Sequence, residues 1–295
     1  MATPVTLVKS APAPVVSEPV STEPIAGRRR PARRVARLLG TVLKRTVAVA
    51  AFLAIWQLAP TLGWVDHAFL SPFSEVLQAL WGLIQDGSLS ENIVASMHRS
   101  LTGFFFAIAI GIPLGLLIAW YATVAEVLSP LLAIFLNTAA VALLPVFTLI
   151  LGIDDVSKIA IIGYACFWPI VYNTISGARS VDPLLVKSAR SLGVKDFRLF
   201  YKVIVPAALP TIFTGLRLAG AASFLVLITT EFVGAKAGLG YLIISSQFNF
   251  QIPQMYAGIL TVSVLGLQLS AGVHRVQGDQ VAAEAVTRRQ EGEIQ

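Results

Sequence analysis

The chain alternates long apolar runs with short polar ones. Six runs stand out: Thr46–Gly63, Leu101–Trp120, Pro130–Leu151, Lys158–Gly177, Pro206–Thr230 and Gln254–Val273. Each is near the roughly 20 residues needed to cross a hydrocarbon layer about 30 Å thick. The last is diluted by Gln254, Gln268 and Ser270. The pattern predicts an all-α membrane protein with six transmembrane helices over residues 46–273. Between the first two runs, Val76, Leu77, Leu80 and Leu83 recur at helical spacing. They predict a short surface helix over Ser74–Leu83, packed on the bundle or receiving a partner from outside. The first 27 residues are Pro, Ala, Val, Ser and Thr without period, and residues 1–45 are expected to form a disordered, basic tail. The basic run Arg28–Arg45 imitates a signal peptide. The apolar run behind it is too long and lacks a clean cleavage site, so it reads as a retained first span. Residues 274–295 form a polar tail.

Composition supports lipid as the outer solvent: 56% of residues are hydrophobic and 13% charged, against about a quarter charged in soluble domains. The single cysteine, Cys166, lies inside the fourth run and reads as a small packing residue. Charge supplies the orientation, because Lys and Arg collect in cytoplasmic loops. With six spans and the N-terminus inside, the inner segments hold eighteen of the 22 basic residues and the outer ones three. Both termini are therefore expected in the cytoplasm. Tyr121–Ser129, the first inner loop, holds none of them, whereas Ala178–Val205 holds six. The net charge of +6 follows from this arrangement and requires no nucleic acid.

Small residues predict how the spans meet, since helices in lipid associate by close backbone approach. Gly103, Ala107, Gly111, Gly115 and Ala119 form a four-residue stripe, and Gly215, Ala219 and Ser223 repeat the device. Arg217 and Glu231 are the charges of the fifth run. Fourteen positions place them about 21 Å apart along a helix and within about 40° of one face. Two readings stand: a face lining a path across the membrane, or two end-cap residues at separate interfaces.

The segment Ala178–Pro206 is the one substantial inner loop. Asp182 suits a helix N-cap and Pro183 the first helical position. Leu185, Ala189 and Leu192 share a face opposite Lys187 and Arg190, and Gly193 ends the helix. A second short helix is predicted from about Lys195, with Phe197, Phe200, Tyr201 and Ile204 on one side and Lys195, Arg198 and Lys202 on the other. Pro206 and Pro210 then mark the start of the fifth span. Such a loop fits an anionic membrane surface or a groove on a cytoplasmic partner.

Lys187-Ser188-Ala189, then Gly193 after three intervening residues, then Val203-Ile204-Val205-Pro206 after nine more, resemble the "EAA" loop of permease subunits from binding-protein-dependent ABC importers. Phe69-Leu70-Ser71-Pro72, Leu143-Leu144-Pro145, Arg179-Ser180-Val181-Asp182-Pro183, Pro206-Ala207-Ala208-Leu209-Pro210 and Gly238-Leu239-Gly240-Tyr241-Leu242 are similar to the nitrate/sulfonate/taurine branch. The resemblance implies a loop that docks on a separate ATP-binding subunit. It also implies an extracytoplasmic binding protein that delivers a small anion, and a second copy of the permease completing the path. Lys187 stands where the family has an acid. Asn137-Thr138-Ala139-Ala140 stands where further prolines are usual, and the chain turns polar after Leu267.

The other motifs are weaker. No G-x-x-x-x-G-K-[ST] loop is present, so ATP is expected on the partner and no cofactor on this chain. Gly238-Leu239-Gly240 is expected to be a flexible outer loop or gate, and Asp154-Asp155 a solvated turn. His67, His98 and His274 have no metal spacing. A stand-alone secondary transporter would show internal repeats. An intramembrane enzyme would need a nucleophile or paired acids with a base at depth. Neither pattern is found.

Overall fold

The computed structural model describes residues 31–268. It divides into two compact units, one ending at Ala54 and the other running from Ile55. The first contributes most of helix α1 (Pro31–Thr61). This helix begins upstream of the expected span, so residues 31–45, expected in a disordered tail, are helical. Pro31 opens it, a position where proline sacrifices no hydrogen bond. The expected polar tail 274–295 lies outside the described residues.

In the second unit, α2 (Phe73–Gln85) is followed by three long helices: α3 (Ser88–Trp120), α6 (Asp155–Arg179) and the run that ends in α9 (Val205–Glu231). Among the described residues these three are long and apolar enough to cross a membrane. The predicted third span differs. It is broken into α4 (Ala122–Asn137), a 3-10 turn Ala140–Leu143 and α5 (Leu144–Leu151), the two parts meeting at 85°. Thr138 and Ala139 are extended at the break. Pro145, in the first turn of α5, starts a new helix there because it cannot donate back into an old one. The loop expected over Tyr121–Ser129 is helical from Ala122, so Pro130 falls inside α4. After α9 come α10 (Leu239–Phe248) and α11, residues 252–268.

The small-residue stripes are the contacts of α6 with its two neighbours. A Cβ added at Gly103 would fall 2.8 Å from Ile162 Cγ2, and one at Gly115 2.7 Å from Thr174 Cβ, so the α3 stripe lies on α6. On the other side a Cβ at Gly215 of α9 would sit 2.6 Å from Asn173 Cβ, and one at Gly177 of α6 2.8 Å from Thr211 Cβ. Without side chains at these points the backbones reach van der Waals contact, the main attraction between helices in lipid. Between them lies the core of Ile161, Ile162, Ile170, Ala219 and Leu227. Cys166 is fully buried there, its Sγ 3.4 Å from the carbonyl of Ala219, in keeping with a packing role.

Candidate functional site

Two features flank this three-helix core, one at each end of α3. Near its last residue lies the basic loop. Asp182 caps α7 (Pro183–Ser191) by accepting from the N–H of Leu184 at 2.7 Å. The helix ends at Gly193, whose φ of 76° is left-handed. The N–H groups of Gly193 and Val194 return to the carbonyls of Arg190 (3.0 Å) and Ala189 (3.1 Å). Nothing lies within 4 Å of a Cβ added to Gly193, so backbone conformation alone calls for glycine here. Gly193→Val should destabilise the turn by about 1–2 kcal/mol. The variant should still insert in the membrane, and its melting midpoint should fall, measured by extraction and thermal unfolding of the same preparation.

The second half of the loop differs from expectation. α8 (Asp196–Leu199) starts after Lys195 as predicted, but no break follows. Residues Phe200–Ile204 form a π turn, and Asp196–Glu231 is one 36-residue helix. The wide turn, closed by the N–H of Val205 on the carbonyl of Phe200, immediately precedes Pro206. A proline ring in a regular helix collides with the carbonyl four residues back, and a π turn shifts that register. It also divides the predicted aromatic face. Phe197 and Tyr201 point outward, 82% and 69% exposed, whereas Phe200 and Ile204 are half-buried. Phe200 meets Trp120 of α3 edge-on at 4.9 Å, and Leu199, not singled out by the sequence, is 1% exposed. A groove of about 200 Å³ between the loop and the ends of α3 and α6 is lined by Trp120, Ala178, Arg190 and Phe200, among others. Lys187, Ser188 and Pro206 are exposed and Ala189 half-buried. The free surface of the loop thus carries apolar knobs, Leu184, Leu185, Leu192, Phe197 and Tyr201, among basic side chains.

At the other end of α3 is a buried ionic cluster that sequence reasoning did not assemble. Glu231, the last residue of α9, is 0% exposed. Arg99 Nη1 donates to its Oε1 at 2.7 Å, and Ser96 Oγ lies 2.8 and 2.9 Å from its two oxygens. Arg99 also donates from Nε to Asp155 Oδ1 at 2.8 Å, and from Nη1 to the Ala237 carbonyl at 2.6 Å. Three N–H groups at the start of α10 complete the cluster. Gly238 donates to Asn92 Oδ1 (2.7 Å), Leu239 to Ser96 Oγ (2.8 Å) and Gly240 to Glu231 Oε2 (2.8 Å). A helix start leaves such donors without partners and favours negative charge, and Glu231 meets both needs.

This revises two expectations. Gly238-Leu239-Gly240 opens a buried helix. A Cβ on Gly238 would overlap the Glu231 carboxylate, and one on Gly240 would lie 2.7 Å from the Ile228 carbonyl oxygen. Asp155 is no mere solvated turn residue, since it is half of an ion pair. Of the two charges of the fifth run, Arg217 is exposed on α9, and Glu231 pairs with Arg99. The chain beyond Glu231 folds back and encloses it. Lys158, also buried, donates to the carbonyls of Ile153 (2.7 Å) and Asp154 (3.4 Å).

Residues 111–277 match the family model for the binding-protein-dependent transport system inner membrane component. The chain belongs to the permease subunits of binding-protein-dependent ABC importers. Its curated relatives include the taurine transport system permease protein TauC of Escherichia coli K12, 30% identical over 78% of this chain and 85% of that protein. The putative aliphatic sulfonates transport permease protein SsuC of Bacillus subtilis 168 is 33% identical over 76% and 81%. The nitrate import permease protein NrtB of Leptolyngbya laminosa is 29% identical over 85% and 93%. In fold, the permease is similar to a chain of the MetNI methionine ABC transporter in an inward-facing form. The TM-score is 0.57 at 18% identity, over 68% of this chain and 96% of that one.

Proposed function

We propose that this permease imports a small anionic solute, a sulfonate, nitrate or similar oxyanion, across the plasma membrane, driven by ATP hydrolysis on a separate subunit. The observation that carries the reading is the Ala178–Pro206 loop. It presents Leu192, Phe197 and Tyr201 outward, while Phe200 of the same loop rests on Trp120 of α3. A partner that grips the outward knobs pulls on a loop mechanically continuous with α9. In this reading the groove behind Phe200 gives the loop room to move.

The remaining architecture is part of the same proposal. Six spans within residues 46–273, the broken α4–α5 pair counted as one, place both termini and the basic loop in the cytoplasm. A binding protein delivers the solute from the other side, and two copies of the permease form the path. Support for the solute class comes from the names of the relatives, and support for the orientation from the distribution of Lys and Arg.

The test is reconstitution in vesicles with a separate ATP-binding subunit and an extracytoplasmic binding protein. Uptake of labelled taurine, short alkanesulfonates and nitrate should require all three proteins and ATP. Transport by the permease alone on an ion gradient would overturn the ATP-driven reading. Uptake of none of the anions, with a different solute carried, would overturn only the solute class.

A further inference from the structure

The helix α2 carries more apolar surface than its packing uses. With 100° per residue, its side chains fall into three sectors. Val76, Leu80 and Leu83 lie within about 40° of one direction and pack against Leu89, Leu239 and Leu242. Leu77, Trp81 and Ile84 lie about 80° to 140° round from Val76 and are exposed by 46%, 61% and 51%. Glu75, Gln78 and Gln85 occupy the sector about 180° to 260° round and are exposed as well.

A surface helix with protein beneath and water above needs only the first and third sectors, an apolar stripe about 100° wide. The second sector widens that stripe to about 160° along one flank only. A helix lying at the boundary of hydrocarbon and water has this cross-section: protein below, acyl chains to one side, water to the other. Trp81 within the flank, and exposed Trp64 and Phe69 in the segment before the helix, are the aromatic types that settle at such boundaries. A protein partner is the poorer fit, because three half-covered side chains fall well short of the ~800 Å² each side of a stable interface buries.

The helix is held in this attitude. Trp56 Nε1 of α1 donates to the Ser71 carbonyl at 3.2 Å, and the Ser74 N–H donates to Gln57 Oε1 at 3.0 Å. Its far end turns through Asp86 and Gly87 into α3. Asp86 Oδ1 accepts from the N–H of Ser88 at 2.9 Å, which lowers the Asp86 pKa and keeps a charge at that turn.

We infer that α2 is an interfacial helix lying along the bilayer surface, with Leu77, Trp81 and Ile84 in the acyl boundary and Glu75, Gln78 and Gln85 in water. It fixes the depth at which the Arg99–Glu231 end of the bundle sits. The test uses the full-length chain in a Cys166→Ala background, reconstituted in vesicles of phosphatidylcholine and phosphatidylglycerol. A nitroxide is attached in turn at Leu77→Cys, Trp81→Cys, Ile84→Cys, Glu75→Cys, Gln78→Cys and Gln85→Cys. Oxygen, which partitions into lipid, should relax the first three labels more than a water-soluble nickel complex does, and the ratio should reverse at the other three. Nickel dominating at 77, 81 and 84 would place that flank in water and overturn the inference. Labels there that are immobile and reached by neither agent would place a protein on it, a second copy or a soluble partner, and overturn it equally. A second measurement keeps Cys166. Fluorescence lost between the unmodified chain and Trp81→Phe should be quenched by lipids brominated high on the acyl chain, and an unquenched difference would contradict the inference.

Discussion

Replacing Arg99 by methionine is expected to destabilise the permease by about 3–5 kcal/mol, the usual consequence of removing one partner from a buried ion pair. Arg99 is 4% exposed and Glu231 0%, so water does not compensate the carboxylate left behind. The loss is not confined to that contact. Arg99 joins Glu231 of α9, Asp155 at the start of α6 and the Ala237 carbonyl. Its removal therefore frees the ends of two core helices and the segment that leads into α10. Thermal unfolding of the detergent-solubilised chain should show a markedly lower midpoint.

The companion variant separates charge from packing. Arg99→Met combined with Glu231→Gln removes both charges of the buried pair, keeps an oxygen acceptor for the Gly240 N–H, and should recover most of the lost stability. Asp155→Asn should cost far less, because Asp155 is 57% exposed and solvent screens its half of the network. Equal losses in Arg99→Met and the double variant would mean that shape, rather than charge, holds this end together.

Much of the cluster was legible once the small-residue stripe of α3 is continued toward its N-terminus. Asn92, Ser96 and Arg99 extend the spacing of Gly103, Ala107, Gly111 and Gly115, and all seven are buried. The stripe itself correctly marked where α3 lies on α6. The partners were not legible, because Arg99 and Glu231 stand 132 residues apart and hydropathy carries no information about which distant charge meets which. The third span was misread for a related reason. An apolar run of sufficient length does not reveal a bend of 85° when the break is made by Thr138 and Ala139 rather than by glycine or a proline pair. The loop was read well as far as Gly193. Beyond it, α-helical spacing placed Phe197, Phe200, Tyr201 and Ile204 on one face, and the π turn that divides them has no sequence signature beyond Pro206.

That division makes the loop separable by mutation. Phe197 and Tyr201 are solvent-facing, so Phe197→Glu with Tyr201→Glu should leave folding and insertion unchanged. Aromatic anchors of an interface typically contribute 2 kcal/mol or more, and two of them together correspond to a drop in affinity on the order of a thousandfold. The variant should therefore lose co-purification of the ATP-binding subunit and ATP-dependent uptake together. Phe200→Ala touches the other side. It removes the ring that meets Trp120 without altering the outward knobs, so the ATP-binding subunit should still bind while hydrolysis no longer drives uptake. The two outcomes test different statements, one about where the partner grips and the other about how its movement reaches α3. If Phe197→Glu/Tyr201→Glu couples normally, the partner does not use this surface. If Phe200→Ala transports normally, force passes to the bundle along α9 alone.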